Sequence, residues 1–418
     1  MRDSFGSANS SAVPRSGTDT GAGTPMLADL TTIAVGGPVD RFIEPETEEA
    51  FVSAVRDADA AKLPLLTIGG GSNLLAGDEP FHGVVIRDGR RSIVVCGAKS
   101  SKFGENGDVE IVAEAGVNWD DFVVFCVESG FSGVEGLSGV PGTVGASVVQ
   151  NIGAYGQEVA STVVSVCAFD REAGVICELS RDDMRFGYRN SALKSTMYKD
   201  PAMPADHYFP TPRYVVLSVT FRLHRSDCGE VAFGQLAKAF GVDVGATMPI
   251  AEIRRAVLQV RAAKGMLEDA RRYASPWMLG CKDDRNVAQA IDADMTADAD
   301  YDRHSCGSFF MNPILDEHQA AKLPADAPQF DAVRSDGSRG IKTSAAWLID
   351  HAGFAKGYKI RENAHAGLSS LHTLALTNRG GATADDIVQL AQVIQEGVEA
   401  TFGVRLVPEP VVVGMTLQ

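Results

Sequence analysis

The sequence predicts an α+β protein of two or three packed domains, and three observations carry this. The chain has 418 residues, too many for one core of ordinary size. Its first half alternates short β-rich runs with turn-forming Gly, Ser, Asn and Asp. Beyond Ser226 the texture changes to helical segments and longer loops, which puts a domain boundary near residue 225.

Taken in order, residues 1–26 read as a disordered tail, rich in Ser, Gly, Thr and Ala and without the apolar core of a secretory signal. Thr47 is an N-cap, Glu48 and Glu49 suit the positive end of a helix, and Phe51, Val52 and Val55 form its apolar stripe. A strand-like run, LPLLTI, then ends in Gly69-Gly70-Gly71-Ser72-Asn73. Strands are expected at residues 83–87, 92–96 and 109–115. Asn118 caps a helix whose Trp119, Phe122, Val123 and Cys126 share a face, and Gly130 stops it.

Two further strands, near 162–170 and 214–223, bracket the segment Arg185 to Ser191; in the second, Val215, Leu217, Val219, Phe221 and Leu223 alternate toward a buried face. Residues 265–303 show no sustained period, become acidic, and read as an insertion. The last helix is bounded by a capping-box pair, Thr383 and Asp386, and by Gly403, with Ile387, Leu390, Ala391, Ile394 and Val398 as its buried stripe.

Composition narrows the function classes. A formal charge of -16 disfavours nucleic acid or an anionic membrane as partner, since the summed field repels both. No run approaches the roughly 18 apolar residues of a membrane span. Seven cysteines, odd in number and with no C-x-x-C pair or zinc-like His/Cys group, read as reduced thiols in a cytoplasmic protein with no metal. Monomeric behaviour is favoured.

Five motifs carry chemistry. GGGSNLL at 69–75 lets backbone N–H groups converge on a phosphate, although it matches neither a Walker loop nor G-x-G-x-x-G, and a plain turn has the same composition. GVPGTVGASVVQNIGAYGQE at 139–158 presents main chain with little bulk to a planar ligand; its structural alternative is a glycine-rich connection within a sheet interface. RFGYRNS at 185–191 sets Arg185 and Arg189 around Phe186 and Tyr188, suited to an anionic organic substrate or to a surface cation–π turn. CGSFFMNP at 306–313 holds Ser308 in apolar surroundings without the elbow of a hydrolase, so it is a proton donor or a turn hydroxyl. Glu409, between Pro408 and Pro410, is aimed by a stiff backbone or simply solvated.

Together with RAAK, AAWLID, HTLALTN and DDIVQLA, these segments stand in an order that resembles the UDP-N-acetylenolpyruvoylglucosamine reductase (UDP-N-acetylmuramate dehydrogenase) family, in the branch with a longer substrate domain. The resemblance covers most of residues 29–412, leaving out the tail and 265–303. It implies an FAD-binding fold of the vanillyl-alcohol-oxidase type in two lobes, 27–87 and 88–225, followed by an α+β substrate-binding domain, 226–418. It also implies NADPH-dependent reduction of UDP-N-acetylglucosamine enolpyruvate in peptidoglycan synthesis. By motif, Gly69, Gly70, Gly71, Ser72 and Asn73 would hold the FAD pyrophosphate, and Pro141, Gly142, Thr143, Gly145, Gln150, Asn151 and Gly153 would line the flavin. Tyr155, Tyr188, Phe233, Lys264, Asn312 and His372 would engage the UDP-sugar.

Arg189, Ser308 and Glu409 are then the expected catalytic residues. Arg189 would stabilise a developing enolate, Ser308 would protonate the adjacent carbon, and Glu409, beside that charge, would be protonated by burial or would orient a partner. Two positions depart from the family pattern: Phe233 stands where a tyrosine often closes over the nucleotide, and Val411 where an arginine is usual. A flavin oxidase of alcohols or sugars on the same fold, and a catalytically silent UDP-sugar-binding protein, are the competing readings.

Overall fold

The structure, a computed structural model, describes residues 23–96, 107–197, 212–291, 300–334 and 337–415; most of the proposed tail and part of the acidic insertion therefore lie outside the described residues. The chain first makes a three-stranded parallel sheet from β1 (Val39–Ile43), β2 (Leu65–Ile68) and β4 (Phe81–Arg87), ordered β1-β4-β2. Helix α1 (Glu48–Ala60) connects β1 to β2, its end closed by Thr47 Oγ1 accepting from the Ala50 N–H at 3.2 Å. Strand β3 (Leu74–Ala76) follows the glycine turn.

A second, antiparallel sheet is ordered β8-β7-β9-β6-β5, from β5 (Ile93–Cys96), β6 (Asp108–Glu114), β7 (Val163–Asp170), β8 (Val175–Ser180) and β9 (Tyr214–Arg225). Val215, Leu217, Val219, Phe221 and Leu223 of β9 are buried, but a register shift against β7 between Cys167 and Ala168 interrupts the alternation, so the first two pack in a different core from the last three. Phe221 meets Trp119 and Phe122 of helix α2 (Trp119–Glu128), a helix begun by Asn118 accepting from the Asp120 and Asp121 N–H groups. Val215 and Leu217 instead join Phe51, Val55, Val84 and Ile86 of the first sheet's layer, so one apolar core fuses the two sheets.

The glycine-rich run at 139–158 contains a helix, α3 (Val144–Gln150), capped by Thr143 and closed by Asn151 at φ 47°. Val144, Ser147 and Val148 are buried, a spacing that the many small residues around them conceal in the sequence. After Arg225 come helix α4 (Ile250–Ala262), a small antiparallel sheet at 314–343, and the 19-residue helix α5 (Ala384–Phe402). The capping box at Thr383 and Asp386 is formed, and Ile387, Leu390, Ala391, Ile394 and Val398 are fully buried. Their core takes in Ile33, Val35 and Leu75 from the start of the chain. The last strand, β10 (Val411–Val413), pairs in parallel with β3, register Val411↔Leu74, which ties the C-terminus to the strand behind the glycine turn.

The segment at 265–303 docks on the first half of the molecule. Arg272 donates to the carbonyls of Leu30 and Gly70, Trp277 packs edge-on against Phe42 at 6.0 Å, and Asp283 N–H donates to Asp121. Among the described residues no helix is long and apolar enough to cross a membrane. All seven cysteines are unpaired; burial pushes the Cys306 thiol up to about 12, so it packs as an apolar group.

Candidate active site

Between the two sheets runs a groove of about 1140 Å³ of empty space, counting its mouth. Its walls are apolar, including Leu66, Ile68, Ala115, Val149 and Val216, and the turn Gly69 to Asn73 also lines it. That turn follows β2 because the chain must reverse into β3 while pressed against a second glycine loop. A Cβ on Gly70 would lie 2.8 Å from Gly142 Cα, so the two backbones meet face to face, and Gly71 sits at φ 64°. Ser72 Oγ donates to Pro141 O at 3.0 Å, and Trp119 N–H to Gly142 O at 3.1 Å, holding the loops together.

Beneath this cradle Asp120 is buried. It accepts from Gly139 N–H at 2.7 Å and pairs with Arg254 of α4 at 2.6 Å and Lys282 at 3.5 Å. Burial alone would raise its pKa, but Lys282 and Arg254 hold the carboxyl well below the usual carboxylate range.

Next to Asn73 of the same turn three distant segments converge. Gln150, the last residue of α3, donates through Nε2 to Glu409 Oε1 at 3.0 Å, and Arg189 Nε reaches the same oxygen at 3.2 Å. The Arg189 head group is fixed further by the carbonyls of Asn151 and Gly153. Arg189 is itself at φ 53°, and Asn151, Tyr155 and Arg185 are also left-handed. Four such non-glycine residues within two neighbouring loops mark a place where backbone strain is maintained by its surroundings.

Glu409 owes its position to main chain: its N–H donates to Phe309 O at 2.8 Å, and its carbonyl accepts from Asn73 Nδ2 at 3.4 Å. The glycine turn, the serine motif and the Pro-Glu-Pro segment are thereby bonded to one another. Ser308 stands between the buried Cys306, whose thiol donates to Leu74 O, and the buried Phe309. Its hydroxyl is half-buried and has no hydrogen-bond partner among the described residues.

The remaining expected residues fall in two groups. Tyr188 lies under the Arg189 guanidinium at 5.4 Å and beside Lys342 Nζ at 5.2 Å; its hydroxyl accepts from Asn312 N–H at 3.4 Å, and burial raises its pKa. Asn312 Oδ1 accepts from Ala345 N–H. Further along, Lys264 Nζ donates to Gln235 at 3.0 Å, and burial, followed by the Arg261 charge, lowers its pKa. His372 is pulled down to about 4 by burial and by Lys264 and Lys356, and its Nδ1 accepts from Leu374 N–H, so the ring is neutral. Phe233 packs edge-on against Tyr155 at 5.7 Å and stays exposed.

The cofactor residues divide likewise. Gly69 to Asn73, Thr143, Gly145 and Gln150 face the groove. Pro141 and Gly142 back the glycine turn, while Asn151 and Gly153 spend their carbonyls on Arg189. Sequence reasoning missed Lys194, whose Nζ donates to Gln150 Oε1 at 2.7 Å and to Arg189 O at 3.3 Å. Its signal was a lysine directly after the apolar Ala192-Leu193, five residues past Arg189. Arg272, which clamps the Gly70 carbonyl, was hidden in the aperiodic insertion. Among the described residues no group of three or more His, Cys, Asp or Glu is placed to hold a metal.

The chain is also similar to known proteins. Residues 39–180 match the profile of an FAD binding domain, and residues 299–413 that of the UDP-N-acetylenolpyruvoylglucosamine reductase C-terminal domain. The chain is 39% identical to the UDP-N-acetylenolpyruvoylglucosamine reductase of Thermobifida fusca, over 94% of this chain and 97% of that one. It is 38% identical to that of Leifsonia xyli, over 94% and 99%. The crystal structure of the enzyme of that name from Thermus caldophilus is similar in fold, with a TM-score of 0.52 at 22% identity, covering 94% of this chain and 98% of the other.

Proposed function

The chain belongs to the UDP-N-acetylenolpyruvoylglucosamine reductase family, and from that premise we propose that it uses FAD to reduce UDP-N-acetylglucosamine enolpyruvate to UDP-N-acetylmuramate for peptidoglycan synthesis, with NADPH as reductant, in the cytoplasm. The observation that carries the reading is the meeting of Arg189, Gln150 and Glu409 beside a groove that Gln150 and the glycine cradle both line.

The residues present fit a flavin dinucleotide. Main chain at 69–73 is unobstructed by side chains and suits a pyrophosphate, and the apolar walls between the sheets suit a planar ring. When bound there, FAD would supply hydride transfer from NADPH to the vinyl carbon of the enolpyruvyl ether.

The protein's own residues handle charge and protons. Arg189, always protonated, retains N–H donors beyond those given to Glu409, Asn151 and Gly153; these would meet the substrate carboxylate, where negative charge grows as the double bond is reduced. Glu409 accepts two hydrogen bonds on one oxygen, which is the arrangement of a group that orients Arg189. Ser308, with a free hydroxyl against an apolar wall, would deliver a proton to the carbon next to the new C–H bond. A serine suffices because a carbanion-like enolate is a strong base, and its fixed direction sets the stereochemistry. Tyr188, Asn312, Lys264 and His372 would contact the rest of the UDP-sugar.

An anaerobic absorption experiment tests this. NADPH should bleach the flavin spectrum, and UDP-N-acetylglucosamine enolpyruvate should restore it. Reoxidation by oxygen alone would indicate the oxidase, and an absence of flavin would indicate the binding protein.

A further inference from the structure

The Arg189–Glu409 pair contains a problem. One guanidinium and one carboxylate sum to zero, so the pair alone is a weak trap for a second anion, whether the substrate carboxylate or an enolate. Besides Lys342, which lies against the Tyr188 ring, a further charge stands on the Gln150 side of the pair: Lys194, on the short helix Ala192–Ser195 that follows the Arg189 turn. Its Nζ is bonded to Gln150 Oε1 at 2.7 Å and to Arg189 O at 3.3 Å, and Gln150 Nε2 is bonded to Glu409 Oε1 at 3.0 Å.

We propose that Lys194 is a positioning residue for the reduction: it locks the Gln150 amide with its nitrogen toward Glu409, and it leaves the Arg189–Glu409–Lys194 group with one net positive charge for a carboxylate-bearing ligand. The amide argument is geometric. A glutamine can present either its oxygen or its nitrogen, and an ammonium on one side admits only the oxygen there. The nitrogen must then face Glu409. Without Lys194 the amide keeps only Glu409 to orient it, so it is held less firmly, and in any flipped state a carbonyl oxygen opposite the carboxylate would push Glu409 off Arg189. The charge argument is additive: plus one at Arg189, minus one at Glu409 and plus one at Lys194 leave plus one.

Among the described residues the charged groups acting on Lys194 are Glu409, from the C-terminal segment, and Arg189, from its own turn; helix α3 presents the neutral Gln150. Burial and Arg189 pull the ammonium down to about 8 against the opposing pull of Glu409. The net charge therefore disappears as pH rises through that value.

The proposal rests on the reductase reading, and its test separates the two. Lys194→Met, Lys194→Gln and Lys194→Arg are compared with wild type in the FAD-loaded protein. Calorimetry gives the affinity of the oxidised form for UDP-N-acetylmuramate, which bears a carboxylate, and for UDP-N-acetylglucosamine, which does not. Lys194→Met should weaken the first about 10-fold or more and leave the second unchanged. Its reoxidation by the enolpyruvyl sugar should slow about 100-fold, with loss of the alkaline limb near pH 8, while reduction by NADPH is kept. Lys194→Gln, which keeps a donor without charge, should behave alike and decides the matter if the methionine variant does not fold. Lys194→Arg should restore the rate and move the limb upward. Equal loss of affinity for both nucleotides, or unchanged affinity and pH profile, would overturn the proposal. A wild type that the sugar cannot reoxidise would instead overturn the reductase reading, and this inference with it.

Discussion

The glycine cradle and the polar cluster beside it are built by opposite means. At the cradle the atoms presented to the groove are main chain, and side chains matter by being absent: Gly70 and Gly142 touch backbone to backbone. In the cluster the groups that meet are side chains, and the main chain serves them through the carbonyls of Asn151 and Gly153 and the strained turn at Arg189. The cradle needs residues that are small and adjacent, whereas the cluster needs groups that are large and distant in sequence. Gln150 and Glu409 lie 259 positions apart. One region can thus be damaged by adding atoms, the other by removing them.

The largest expected effect is at Ser308, whose neighbour Phe309 is bonded to the polar cluster through Glu409. Ser308→Ala should leave reduction by NADPH intact and slow reoxidation by the enolpyruvyl sugar about 100- to 10,000-fold, read by stopped flow. Equal slowing of both half-reactions would show that Ser308 shapes the groove in the manner of the cradle, and the contrast would fail there.

Next comes the support under the cradle. Asp120→Asn leaves Arg254 and Lys282 buried without their carboxylate and should cost about 3–5 kcal/mol in denaturant unfolding. The sign in pH is fixed by direction. Because the folded Asp120 pKa is depressed, its stabilisation is present above the ordinary carboxylate value near 4 and fades as pH falls toward the lower folded value. The variant should lack that acid-side loss.

Gly70→Ala is smaller, about 1–3 kcal/mol of overpacking against Gly142, with lower flavin occupancy in the purified protein. Full occupancy would show that side-chain bulk is tolerated and that the cradle does not depend on backbone approach. The smallest effect concerns His372. Its folded pKa of about 4 lies below the unfolded value of about 6.5, so the unfolded chain binds the extra proton between them and stability should decline as pH drops through that window. His372→Gln should flatten this part of the profile, measured by thermal unfolding at pH 4 to 7.

Much of the fold was readable because local chemistry and tertiary role coincide. Thr47, Asn118 and Thr383 cap the helices their neighbours predict, and the alternation along 215–223 gives a strand. Helix α3 escaped because Gly145, Ala146 and Ser147 are as compatible with loop as with close packing. The 265–303 segment escaped because its residues are held by Asp121, Gly70 and Phe42, none of them near in sequence.

The sequence by itself determined the caps, the strand alternation, the places where only glycine can stand, and the set of charged and hydroxyl residues available for chemistry. All of these follow from short-range sterics and hydrogen bonding, which act over a few residues. Tertiary structure alone decided that Glu409 points at Arg189, that Lys194 sets the Gln150 amide, and that β10 closes on the strand behind the glycine turn. Those outcomes depend on desolvation and charge pairing between segments that the fold brings together, so they exist only once the core between the sheets has closed.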